Sequence, residues 1–135
     1  MAGLACAIRL GELGVGVRLL EAREEELYPN NTRYGGGVLH VAFRSVFDEP
    51  AKLVEAIRER TAGFVRPELA EALADNAARS IGWLKAQGVA TASMPNDEGW
   101  KDCVLAPLGF HDGTRLAWRG FGSDRMMQAL ERRLE

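Results

Sequence analysis

The chain is poor in the residues that build metal and disulfide sites, with two cysteines and two histidines in 135 residues. Cys6 and Cys103 stand far apart in no pairing pattern, which excludes a disulfide framework and predicts a reducing, cytoplasmic setting. Cys6 falls in a helical pattern and is expected to be a small buried hydrophobe, and Cys103 a partly buried thiol. Neither His40 nor His111 has a Cys or carboxylate at ligand spacing, so there is no metal constellation, and no Ser-His-Asp arrangement stands out. An excess of one charge is missing too. Seventeen Lys and Arg against nineteen Asp and Glu give a formal charge of −2, which argues against a nucleic-acid surface. No apolar run approaches the ~20 residues of a membrane span, and no signal-peptide pattern is visible. There is no internal repeat or low-complexity segment. With 47% hydrophobic and 27% charged residues, the composition is that of an ordinary globular domain.

The most organised stretch is Gly3 to Glu21. Gly3, Ala7 and Gly11 recur every four residues, giving a helix one row of very small residues that can lie close against a sheet. Leu4 and Ile8 flank that row, and Gly14 stops the helix. Val15, Val17 and Leu19 alternate as a strand does, and Glu21 closes the strand. This is the pattern of the second half of a dinucleotide-binding βαβ unit. There a helix N-terminus faces a pyrophosphate, and an acid at the strand tip accepts hydrogen bonds from a ribose diol. Gly3 would be the third glycine of the Gly-x-Gly-x-x-Gly fingerprint, with the first two glycines and the first strand before residue 1. An ordinary α/β crossover produces the same pattern, and that reading stays open.

Downstream, Glu24, Glu25 and Glu26 read as a solvated acidic run, and Pro29-Asn30-Asn31 as a turn. Gly35, Gly36 and Gly37 stand together, as a fold tolerates only where side chains do not fit or unusual dihedrals are needed. A backbone pressed against a planar ligand is one such case, and a flexible loop is the alternative. The apolar Val38–Phe43 stretch that follows is strand-like. Asp48-Glu49-Pro50 opens a helix with Leu53, Val54, Ile57 and Thr61 on one face, ended by Gly63. Pro67 starts the longest helix, with Leu69, Leu73, Ala77, Ile81 and Leu84 as its buried stripe, Gln87 away from it, and Gly88 at its end. Short strands are expected at Val89–Ala92 and Cys103–Leu105, a loop over Met94–Gly99, and a turn-rich link over Leu108–Gly113. Gly120-Phe121-Gly122 feeds a last helix with Ser123 as its N-cap and Met126, Met127, Leu130 and Leu134 apolar.

The fold class predicted is α/β, with three or four substantial helices and few, short strands. It is an incomplete FAD- or NAD(P)-binding Rossmann-like domain with a helical insertion. Residues 1–47 are expected to hold the dinucleotide-binding remnant, and residues 48–135 the helical insertion. Its open sheet edges favour self-association.

Taken together, Met1-Ala2-Gly3-Leu4, Leu19-Leu20-Glu21, Asn31-Thr32, Gly35-Gly36-Gly37, Ile81–Val89 and the closing Gly-rich loop resemble one family. It is the FAD-dependent oxidoreductases of the succinate dehydrogenase/fumarate reductase flavoprotein class. The tricarballylate dehydrogenase-like and ketosteroid dehydrogenase-like members are the nearest in pattern. Pro29-Asn30 departs from the two glycines usual there. Family members are several times longer, so the resemblance implies an N-terminal portion whose very start is removed, with a flavin-contact loop within residues 1–47 and the start of a substrate-capping region within residues 48–135. It also implies FAD as cofactor: Gly3 beside the pyrophosphate, Glu21 at the adenosine ribose, and Asn31, Thr32 and Gly35 to Gly37 along the flavin, with Ala22 a further cofactor-binding residue. The implied reaction is hydride transfer between the flavin and a carbon–carbon bond of a small carboxylate-type substrate. Catalytic residues lie mostly later in such chains, and none carries over here. Weak FAD binding and no turnover are expected of this stretch alone. Arg115 and Arg119 could meet a carboxylate, but a surface role is the better expectation. Two other readings remain at this stage. One is an NAD(P)-binding module in which Arg23 meets a 2′-phosphate. The other is a non-catalytic interaction domain.

Overall fold

The structure is a computed structural model that describes residues 1–25, 28–94, 102–108 and 118–134. In order, its elements are α1 (Ala2–Glu12), β1 (His40–Val41), β2 (Arg44–Ser45), α2 (Pro50–Arg60), α3 (Pro67–Ala86), β3 (Thr91–Ala92), β4 (Val104–Leu105) and α4 (Gly122–Glu131). The expected proportions hold: four helices and four very short strands among the described residues. The strands form two antiparallel pairs, β1 with β2 and β3 with β4. Val38 bridges Val104, Leu39 N–H donates to Cys103 O, and Leu105 N–H donates to Gly37 O, so the glycine run leads onto the β4 edge.

Helix ends follow the sequence. Pro50 and Pro67 begin α2 and α3, where the missing N–H costs nothing. After α3, Gly88 N–H donates to Lys85 O and Val89 N–H to Leu84 O, the pairing that satisfies the last carbonyls of a helix. After α1, Gly14 and Val15 make the same two bonds to Gly11 and Leu10.

The core joins Leu53, Ala56 and Ile57 of α2 to Ala70, Ala74, Ala77 and Ile81 of α3, with Val41, Val46, Val89, Met126, Met127 and Leu130 closing it. Several expectations need correction. The N-terminal half of the α3 stripe is Ala70 and Ala74, while Leu69 and Leu73 are about half exposed. Alanines let α2 approach more closely than leucines would, and the neighbouring face turns outward. Cys6 is exposed, whereas Cys103 is buried, and neither is in a disulfide. Val15 to Leu20 belong to no strand, because no described segment pairs with them; Leu20 is 83% exposed. Ser123 does not cap α4: Phe121 holds the N-cap position without a side-chain bond, and the Ser123 hydroxyl donates to Gly35 O at 2.7 Å. Gln87 is buried, not turned away. Its amide nitrogen donates to Glu12 Oε1 and its oxygen accepts from Arg133 Nε, each at 3.0 Å.

His111, Arg115, Glu26, most of the Met94–Gly99 loop and most of the Leu108–Gly113 link lie outside the described residues. Among the described residues no helix is long and apolar enough to cross a membrane, and no group of three His, Cys, Asp or Glu could hold a metal.

Candidate functional site

The start of α1, the segment ending at Glu21, and the Tyr28–Thr32 segment converge on one concavity. A cavity of about 430 Å³ is lined by Gly3, Leu19, Glu21, Asn31 and Thr32 together with Met127 of α4. A second, of about 840 Å³, shares Leu4, Leu19, Glu21 and Tyr28 with the first and extends to Arg23, Glu131 and Arg132. Both volumes fall in the range of small-molecule and cofactor sites.

Each wall contributes a different chemistry. Helix α1 has no side-chain cap, and its first intrahelical bond is Ala5 N–H to Met1 O. The N–H groups of Ala2, Gly3 and Leu4 therefore precede the hydrogen-bonded ladder, at the positive end of the helix dipole. Gly3 brings that backbone close to the following segment: a Cβ on it would stand 3.3 Å from Leu19 Cδ1. Glu21 supplies an exposed carboxylate, whose Oε1 accepts from Ala22 N–H at 2.7 Å and Arg23 N–H at 3.1 Å. These local bonds fix the carboxylate at the end of the segment and leave acceptor capacity, since an ionised carboxylate has about four lone-pair sites. Burial pushes the Tyr28 hydroxyl above its usual pKa, and the negative charges of Glu131 and Glu21 add to the shift.

Four of the expected site residues, Gly3, Glu21, Asn31 and Thr32, thus line one cavity. Ala22 faces a separate shallow recess with Arg23, Glu24 and Glu25. The glycines divide differently. Gly35 lies against Thr32 O and the Ser123 hydroxyl, Gly37 against Leu105, and Gly36 is exposed with open space around its Cα. None of the three lines either of the two cavities. Arg119 is exposed beside the Trp118 ring, a surface placement as expected.

Sequence reasoning missed the charged group behind this wall. Arg33 is fully buried, and its guanidinium pairs with Asp124 and, through Nη2, with both oxygens of Glu131 at 2.8 Å. Its Nε–H has no partner among the described residues. An arginine beside Thr32 gave no sign of burial; the only signal was an Asp and a Glu on the otherwise apolar face of α4.

A family model described as an FAD-binding domain matches residues 1–134 of the chain. No curated protein and no solved structure matches it.

Proposed function

Since the chain belongs to the FAD-binding domain family, and that family binds FAD, we propose that the cavity between α1, Glu21 and the Asn31–Thr32 turn holds the adenosine diphosphate half of FAD. The observation that carries the proposal is the meeting of uncapped helix amides and a carboxylate across one cavity. Donors suit a pyrophosphate, and an acceptor suits a ribose diol. The residues present fit the group. The α1 amides would face the phosphates, Glu21 the ribose hydroxyls, and Asn31 and Thr32 the edge leading towards the flavin. Gly36, open on its outer side, leaves room for a planar ring to approach its backbone.

On this reading the domain is Rossmann-like and belongs to a flavoprotein oxidoreductase. Bound FAD would supply the redox chemistry, hydride exchange with a carbon–carbon bond of a small carboxylate-type substrate. What the chain's own residues supply is binding and orientation. With neither Cys6 nor Cys103 in a disulfide, a reducing, cytoplasmic setting is part of this reading.

The test is a thermal-shift comparison of FAD with NADPH, followed by flavin-fluorescence titration of wild type and Glu21→Ala. FAD should stabilise the protein. Removing the carboxylate should weaken binding by roughly tenfold, the usual cost of a lost hydrogen bond to a charged group. Stabilisation by NADPH without FAD would defeat the proposal and favour Arg23, on the wall of the larger cavity, as a 2′-phosphate ligand.

A further inference from the structure

A buried guanidinium is expensive unless its charge is met, and here two carboxylates from opposite ends of α4 meet it. Asp124, in the first turn of α4, takes Nη1, and Glu131, its last residue, takes Nη2. Both carboxylates are themselves held. Asp124 accepts from Gly120 N–H at 2.7 Å and from Gln128 Nε2 at 3.0 Å, and Glu131 lies within 3.4 Å of the Tyr28 hydroxyl. The rings of Tyr28 and Trp118 flank the guanidinium at 5.3 Å and 5.7 Å.

Arg33 directly follows the cavity-lining Asn31 and Thr32. The turn they share is closed internally by Arg33 N–H to Asn30 Oδ1, Tyr34 N–H to Asn30 O and Gly35 N–H to Thr32 O. The hydrogen bonds that tie this turn to the rest of the described structure all involve α4: the Arg33 guanidinium donates to Asp124 and Glu131, and Gly35 O accepts from the Ser123 hydroxyl. We propose that Arg33 is a positioning residue for the cofactor: its fork, gripped at both ends of α4, sets where Asn31 and Thr32 stand on the cavity wall. The proposal rests on the FAD reading of that cavity. It also requires a planar fork, since a lysine ammonium is a point charge that does not span carboxylates on separate helical turns.

The experiment compares wild type with Arg33→Lys, which keeps the charge, and with Leu53→Val, a core change on α2 away from the turn. Amide hydrogen exchange is followed without FAD, and FAD affinity is measured by fluorescence titration. In Arg33→Lys, amides 30–36 should exchange on the order of tenfold faster while those of α2 and α3 stay within about twofold. FAD affinity should fall by about tenfold in Arg33→Lys and stay within about twofold in Leu53→Val, because a displaced contact costs affinity where a uniform loss of stability does not. Exchange that rises evenly along the chain, or not at all at 30–36, overturns the proposal, as does an equal loss of FAD affinity in both variants. If wild type binds no FAD, the cofactor reading of the cavity fails, and the exchange pattern still decides whether Arg33 fixes the turn.

Discussion

Gly122 faces the backbone of Leu105 so closely that a Cβ on it would stand 2.2 Å from the Leu105 carbonyl oxygen and 2.4 Å from the carbonyl carbon. The contact is backbone on backbone, and Gly122 N–H is anchored to Pro107 O at 2.8 Å, so neither side can swing aside. Gly122→Ala should therefore destabilise the fold by about 3 kcal/mol, the upper end of the cost of overpacking. A lower denaturation midpoint at unchanged slope in urea is the expected result.

The three consecutive glycines should respond separately. Gly37 has φ +75°, and a Cβ there would meet Leu105 Cβ at 3.2 Å, so Gly37→Ala should cost about 1–2 kcal/mol. At Gly36 no atom of the described residues lies within 4 Å of an added Cβ, and Gly36→Ala should leave stability within about 0.5 kcal/mol. If the Gly36 backbone borders the flavin, Gly36→Val weakens FAD binding without moving the unfolding midpoint. Denaturation and flavin titration of the same samples separate the two effects.

Leu53 is fully buried, whereas Leu73 is 53% exposed. Leu53→Ala should cost about 2–5 kcal/mol by leaving a cavity. Leu73→Ala should change stability by less than about 0.5 kcal/mol, as surface changes do. Equal losses, measured by chemical denaturation, would return Leu73 to the core stripe.

Glu12 ties α1 to α3. Its carboxylate accepts from Arg9 at 2.6 Å, Gln87 Nε2 at 3.0 Å and Trp83 Nε1 at 3.4 Å. The Arg9 hydrogen bond is the main reason that its pKa lies below the ordinary 4.5, although burial opposes the shift. With the folded value depressed, the stabilisation is present above pH 4.5 and is lost as the pH falls through the folded value. The stability gap between wild type and Glu12→Gln should therefore be widest near neutral pH and close in acid. Urea midpoints measured from about pH 7 to about pH 3 check this.

Local signals proved the most legible. Pro50, Pro67, Gly14 and Gly88 mark helix ends because their backbone demands are intrinsic to the residue. That Gly3 and Glu21 face one cavity was legible in a helix–turn–acid motif whose spacing pairs them, whereas Asn31 and Thr32 entered only through the family resemblance. Choices between neighbouring apolar residues were not. Whether Ala70 or Leu69 faces inward depends on how close α2 comes, which no periodicity in α3 reveals. Val15 to Leu20 show why alternation alone does not make a strand: it needs a partner as well. Arg33 was illegible for a further reason. Nothing near it in sequence announces burial, and its partners lie 91 and 98 residues away.

Those separations bear on how the molecule assembles. Tyr28 meets Glu131 across 103 residues and Gly35 meets Ser123 across 88. Loops of that length must close before any of these bonds forms, while α2 and α3 can pair through a short turn. The outer wall of the cavity is thus a late arrival in folding: a chain with α4 undocked can hold its helical hairpin, yet it has no finished place for a ligand.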